Sequence, residues 1–127
     1  MSQSDSKVLV PLNGLTATTT SSALPIDDVK GVTLTFTRAA HSSGSSVFSV
    51  DVSLDGTTYV TYNKLIDNVT NAITEGLTRV AASSSMTANA TKTYQMDLEN
   101  EPWKFMKVKG TRVTDGTITA KVLLRYN

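Results

Sequence analysis

VFSVDVSLDG, residues Val47–Gly56, places an apolar side chain at every second position (Phe48, Val50, Val52, Leu54), with Ser or Asp between them. A strand turns successive side chains to opposite faces, so this pattern makes one dry face and one wet face. Asp55-Gly56 then supplies turn chemistry, and Tyr59–Tyr62 follows as the returning strand; this predicts a β-hairpin. GVTLTFTR, residues Gly31–Arg38, repeats the alternation with Val32, Leu34 and Phe36.

Working outward, further alternating or β-prone segments appear. Lys7–Leu12 is a short apolar run closed by the turn dipeptide Asn13-Gly14, and a Thr-rich stretch follows, with Pro25 best placed at a sheet edge or strand end. Asp27-Asp28 turns the chain into the Val29–Arg38 strand, and His41–Ser46 forms a loop around Gly44. Strand character continues from Tyr59 to about Ile66 and is ambiguous over Asn63–Thr74. It returns modestly at Leu77–Ala82 and clearly at Tyr94, Met96 and Leu98. Trp103–Arg112 puts Met106 and Val108 on one face and Phe105, Lys107 and Lys109 on the other. Asp115-Gly116 is a second hairpin signal, leading to Ile118, Ala120, Val122, Leu124 and Tyr126. The expected fold is all-β: a single-domain antiparallel β-sandwich over residues 1–127, jelly-roll-like or Ig-like, with about eight strands. Residues 1–12 form a candidate N-terminal arm.

Composition narrows the function classes. At 127 residues the chain suits one domain, with 39% apolar and 6% aromatic residues. Charged residues make up 18%, below the roughly 25% usual in soluble domains, and Ser and Thr take their place. Hydroxyls cost less to desolvate than ions, which suits surfaces that lie against other proteins. A net charge of +1 gives no electrostatic footprint for nucleic acid. Lys104, Lys107, Lys109 and Arg112 lie close together, but Glu99 and Glu101 precede them, and a solvated strand face is the expectation. The chain has no cysteine, so disulfides and thiolate metal sites are excluded. The start reads neither as a secretory signal nor as a membrane segment, so the expectation is a protein made in a cytoplasm, with no membrane partner.

Chemistry is sparse. His41 is the one imidazole, near Ser42, Ser43 and Ser45 in a loop, and a nucleophile needs a base held rigidly against it. The carboxylates Asp27, Asp28, Asp51, Asp55, Asp97, Glu99 and Glu101 show no glycosidase-like pairing. Asp27-Asp28 and Asp67-Asn68 offer oxygens for calcium without the close ligand spacing of a dedicated loop. No catalytic residue, cofactor or metal site is expected, and the chain is read as a non-enzyme. The sequons at Asn68 and Asn89 follow from a composition rich in Asn and Thr. The aromatic residues Tyr59, Tyr62 and Trp103 have three open readings: sugar platform, protein interface or core packing.

FSVDVSLDGTTYVTYNKL (Phe48–Leu65) resembles the strand–turn–strand signature of small all-β structural proteins of tailed bacteriophages. LTFTRAAHSSGSS before it and the closing TDGTITAKVLLRYN are similar to the same group. The resemblance implies a non-enzymatic virion component assembled in the host cytoplasm, foremost a capsid decoration or stabilising protein. Its implied partners are the major capsid protein or another virion protein and further copies of itself, a trimer favoured. Val8, Leu9, Val10, Tyr59, Tyr62 and Trp103 are the candidate interface residues. The alternative is a carbohydrate-binding β-sandwich module of a phage tail or adhesin.

Overall fold

Alternation organises the molecule as the sequence demands. The computed structural model describes residues 6–40, 42–67, 79–83 and 85–126. The six long strands are β1 (Ser6–Leu15), β4 (Gly31–Ala39), β5 (Gly44–Ser53), β9 (Ala90–Asp97), β10 (Phe105–Thr114) and β11 (Thr117–Arg125). The short ones are β2 (Thr19–Thr20), β3 (Leu24–Pro25), β6 (Val60–Thr61), β7 (Leu65–Asp67) and β8 (Arg79–Val80). A six-stranded sheet runs β1-β11-β4-β9-β7-β8, and a five-stranded sheet runs β2-β10-β5-β6, with β3 also on β10. Every pairing is antiparallel.

The inward face of each long strand is the apolar half of its alternation. Val32, Leu34 and Phe36 of β4 meet Phe48, Val50 and Val52 of β5 across the interior, all fully buried. The Phe36 and Phe48 rings stack with centroids 4.5 Å apart, and Tyr94 of β9 tilts against Phe36 at 5.6 Å. Aromatic pairs of this kind add about 0.5–1.5 kcal/mol beyond area burial; the Phe36–Phe48 stack joins one sheet to the other, while the Phe36–Tyr94 contact lies within the six-stranded sheet. Gly110 sits on the core face of β10. A Cβ there would lie 2.6 Å from Ile118 Cδ1 and 3.3 Å from Phe48 Cε2, so the missing side chain is the space those two occupy.

Five details depart from the expectation. Among the described residues there are eleven strands rather than about eight, because the sheets are completed by two- and three-residue pieces too short to show periodicity. Asn13-Gly14 does not close β1. The strand continues to Leu15, slipping register on β11 between Leu9 and Leu12 and again between Leu12 and Leu15. The Asp55-Gly56 hairpin is present, with Asp51 opposite Thr61 and Val52 opposite Val60, on a loop longer than a two-residue turn. The strand expected from Tyr59 to Ile66 breaks in two: β6 belongs to one sheet and β7 to the other. Asp115-Gly116 is not a hairpin turn, since β10 and β11 lie in different sheets and the chain crosses the sandwich there. Leu77, most of Asn63–Thr74, His41 and Asn68 fall wholly or partly outside the described residues. Of the arm expected over 1–12, Ser6–Leu12 are part of β1 and residues 1–5 lie outside.

The crossing at Asp115-Gly116 runs beside a second one. β4 ends at Ala39 and β5 begins at Gly44, crossing in the opposite direction, from the six-stranded to the five-stranded sheet. Thr117 pairs with Ala39 and Thr114 with Gly44, so the two corners lie side by side. Each carries one residue with positive φ other than glycine, Ala40 at 53° and Thr114 at 77°. Such conformations persist where surrounding contacts fix them. Here the contact is Arg38, fully buried at the inward end of β4. Its Nη1 donates to Met86 O at 2.7 Å, and its Nη2 to Ser43 O at 2.7 Å and Asp115 O at 2.8 Å. The Asp115 carboxylate lies 3.6 Å from the guanidinium and also accepts the Ser42 and Ser43 amides at 3.1 Å.

Candidate interaction surface

β1 and β6 each stand at the end of a sheet, and both leave large apolar side chains in water. Val8 is 57% and Val10 43% exposed on β1, while Leu9 between them is half-buried against the core. An edge strand offers unpaired amides and carbonyls to any passing strand, and proteins commonly blunt such edges with charge or proline. On β1 that protection is Lys7 and Pro11.

The second patch is a shallow cleft of about 230 Å³ lined by Leu54, Asp55, Thr58, Val60 and Trp103. Leu54 is 53% and Val60 49% exposed. Trp103 leans on the core with its indole half-buried, and its Nε1 donates to Glu101 Oε1 at 3.1 Å. Glu101 also meets Lys64 at 3.3 Å.

The rim of the cleft is built by Ser53 and Asp55. Asp55 Oδ1 accepts the Thr57 amide at 2.8 Å, the Thr58 amide at 2.9 Å and the Ser53 hydroxyl at 3.0 Å. Ser53 Oγ in turn accepts the Gly56 amide at 2.9 Å. The Thr58 and Thr57 amides, then the Ser53 hydroxyl, hold the Asp55 carboxyl below its ordinary range. A lowered folded-state pKa favours the fold above the unfolded value and loses that contribution as pH falls through the folded value. Asp55→Asn is therefore expected to be less stable than the wild type at neutral pH. The difference should narrow as pH falls from about 4 through the lowered folded-state value, as read from urea unfolding at neutral and acidic pH. A constant difference at both would reject the charge-assisted turn.

The predicted interface residues thus separate. Val8, Leu9 and Val10 form the β1 edge, and Trp103 lines the cleft. Tyr59 is half-buried on the outer face of the five-stranded sheet, with Lys107 Nζ 4.4 Å from its ring centroid and its hydroxyl shielded from water. Tyr62 points the other way into the core and is 3% exposed, so it is not part of the outer surface. Leu54 and Val60 were missed, since neither carries a chemical signature; only the fold shows that the apolar half of the alternation runs past the end of the core there.

Of the residues considered for chemistry, His41 lies outside the described residues, and Ser42 and Ser43 offer their amides to Asp115. Among the described residues no group of three or more His, Cys, Asp or Glu is placed to hold a metal ion. Asp27 pairs with Lys104 at 3.0 Å, and the Asn68 half of the Asp67-Asn68 calcium candidate lies outside. Of the basic residues, Lys104 is in that ion pair, Lys107 sits over Tyr59, and Arg112 Nε donates to Gly116 O at 2.7 Å, while Lys109 is exposed. No described helix is long and apolar enough to cross a membrane.

No family model and no curated protein sequence matches the chain. Its fold is similar to that of the SPBc2 prophage-derived protein YomS, with a TM-score of 0.70 at 11% identity over 94% of this chain and 92% of that one. It is similar as well to the PBSX exported protein XepA, with a TM-score of 0.70 at 13% identity over 94% of this chain. The match spans 37% of XepA, so in that protein the sandwich is one part of a longer chain.

Proposed function

We propose that this chain is a non-enzymatic virion structural protein, and within that class a capsid decoration protein that binds the outer shell and copies of itself. The supporting observation is the sandwich shared with a prophage-derived protein over nearly the whole of both chains. The exposed apolar edges on β1 and β6 fit a protein that works by lying against others. In this reading the partners are the major capsid protein and a homotrimer. The protein joins the particle during assembly in the host cytoplasm, and avidity across a lattice makes modest contacts durable.

The sugar-binding alternative has less to stand on. A stacking platform needs an open aromatic face, whereas Tyr62 is in the core and Lys107 covers one face of Tyr59. The test is co-sedimentation of the purified protein with particles lacking it. Saturable binding, weakened at least tenfold by Val8→Asp with Val10→Asp, is expected. Absence from particles together with selective signals on a glycan array would replace decoration by the carbohydrate module.

A further inference from the structure

We infer that the β1 edge of one copy docks along β6 and into the Leu54–Val60–Trp103 cleft of the next, a head-to-tail contact between two different surfaces of the same chain. This rests on and deepens the self-association part of the reading above; Val8→Asp with Val10→Asp then weakens particle binding by removing the avidity that linked copies supply. The large hydrophobics left exposed among the described residues are Val8, Val10, Leu54, Val60 and Val113. All but Val113 belong to these two patches.

Both patches lie at the last strand of a sheet, where a neighbour's backbone can add hydrogen bonds. From Val8 to Val10 the outer side of β1 faces no other strand among the described residues, and β6 pairs only with β5. They cannot satisfy each other within one molecule. β1 closes the sandwich on the β2 side, whereas β6 ends the five-stranded sheet on the opposite side of β10 and β5.

Shape and charge are complementary. β1 offers two valines spaced one apart, which share a face and can enter one cleft, while the cleft offers an open apolar floor between Leu54, Val60 and Trp103. The one charged residue in β1 is Lys7, beside Val8, and the charge on the cleft rim is the Asp55 carboxylate. Pairing β1 with another β1 instead would leave the cleft uncovered. A contact between unlike surfaces propagates, closing into a ring where the rotation allows. A closed ring built this way holds three or more copies.

Complementation tests this directly, read as mass by light scattering or sedimentation equilibrium. Wild type is expected above its monomer mass of 13.6 kDa. Val8→Asp with Val10→Asp destroys the edge but keeps the cleft, and Val60→Asp does the reverse. Each variant alone is expected to be monomeric. Mixed one to one they should form a capped dimer and nothing larger. Leu54→Asp serves in place of Val60→Asp if melting curves show the latter unfolded. Lys7→Glu should weaken wild-type association about two- to fivefold, an effect that high salt removes. A monomeric wild type, an assembled Val60→Asp protein or a mixture that stays monomeric would each overturn the contact. Particle binding by a protein monomeric in solution would sink this inference and the self-association part of the reading above, and leave shell binding intact.

Discussion

Arg38→Ala is expected to lower the unfolding free energy by about 3–5 kcal/mol, because it empties a large, fully buried site and leaves carbonyls without their donor. Domains of this size hold about 5–15 kcal/mol in total, so the loss is a large share. Three carbonyls, those of Met86, Ser43 and Asp115, lose a charged donor at once. The Asp115 carboxylate loses its cation but keeps the Ser42 and Ser43 amides. Arg38→Met separates volume from polarity, since it refills the space without satisfying any acceptor. It should recover part of the loss and remain at least about 2 kcal/mol below wild type. Chemical denaturation at neutral pH measures both. A loss under 1 kcal/mol for the alanine variant would show that the guanidinium is not what holds the two corners.

Gly44→Ala is expected to cost about 2–4 kcal/mol at the same corner. Gly44 has φ of +83°, and a Cβ on it would overlap the Val113 carbonyl oxygen and lie 2.6 Å from Thr114 Cβ. The obstruction is the backbone of the neighbouring crossing, which cannot swing away as a side-chain tip can. Gly14 provides the control, since its φ is +63° and a Cβ there meets nothing within 4 Å. Gly14→Ala should cost about 1 kcal/mol, the conformational part alone. The difference between the two melting shifts isolates the close approach of the crossings. Equal shifts would reject it.

The long strands were legible because a period of two is a strong signal wherever one face is dry. β4, β5, β9, β10 and β11 all lie where Val32–Phe36, Phe48–Leu54, Tyr94–Leu98, Met106–Val108 and Ile118–Leu124 place them. Sheet membership was not legible. Asp-Gly says that a chain turns, not which sheet it turns into. The same dipeptide makes a hairpin at Asp55 and a crossing at Asp115. The difference lies in a partner distant in sequence, Arg38, and its position was readable after all. Counting by twos from Val32 through Leu34 and Phe36 places an arginine on the dry face, where a cation is expensive unless several acceptors meet it. For the candidate surface, the β1 valines were readable as an apolar run, whereas the cleft depends on Leu54, Val60 and Trp103 coming together across the fold.

The pairing of Ser6 with Arg125 and Lys7 with Leu124 joins the two extremes of the described chain on neighbouring strands. β1 is made before β11, which sits between it and β4, so β1 has no partner in the six-stranded sheet until translation reaches residue 125. Until then Leu9 and Leu12, which the folded sandwich covers, stay open to neighbouring nascent chains.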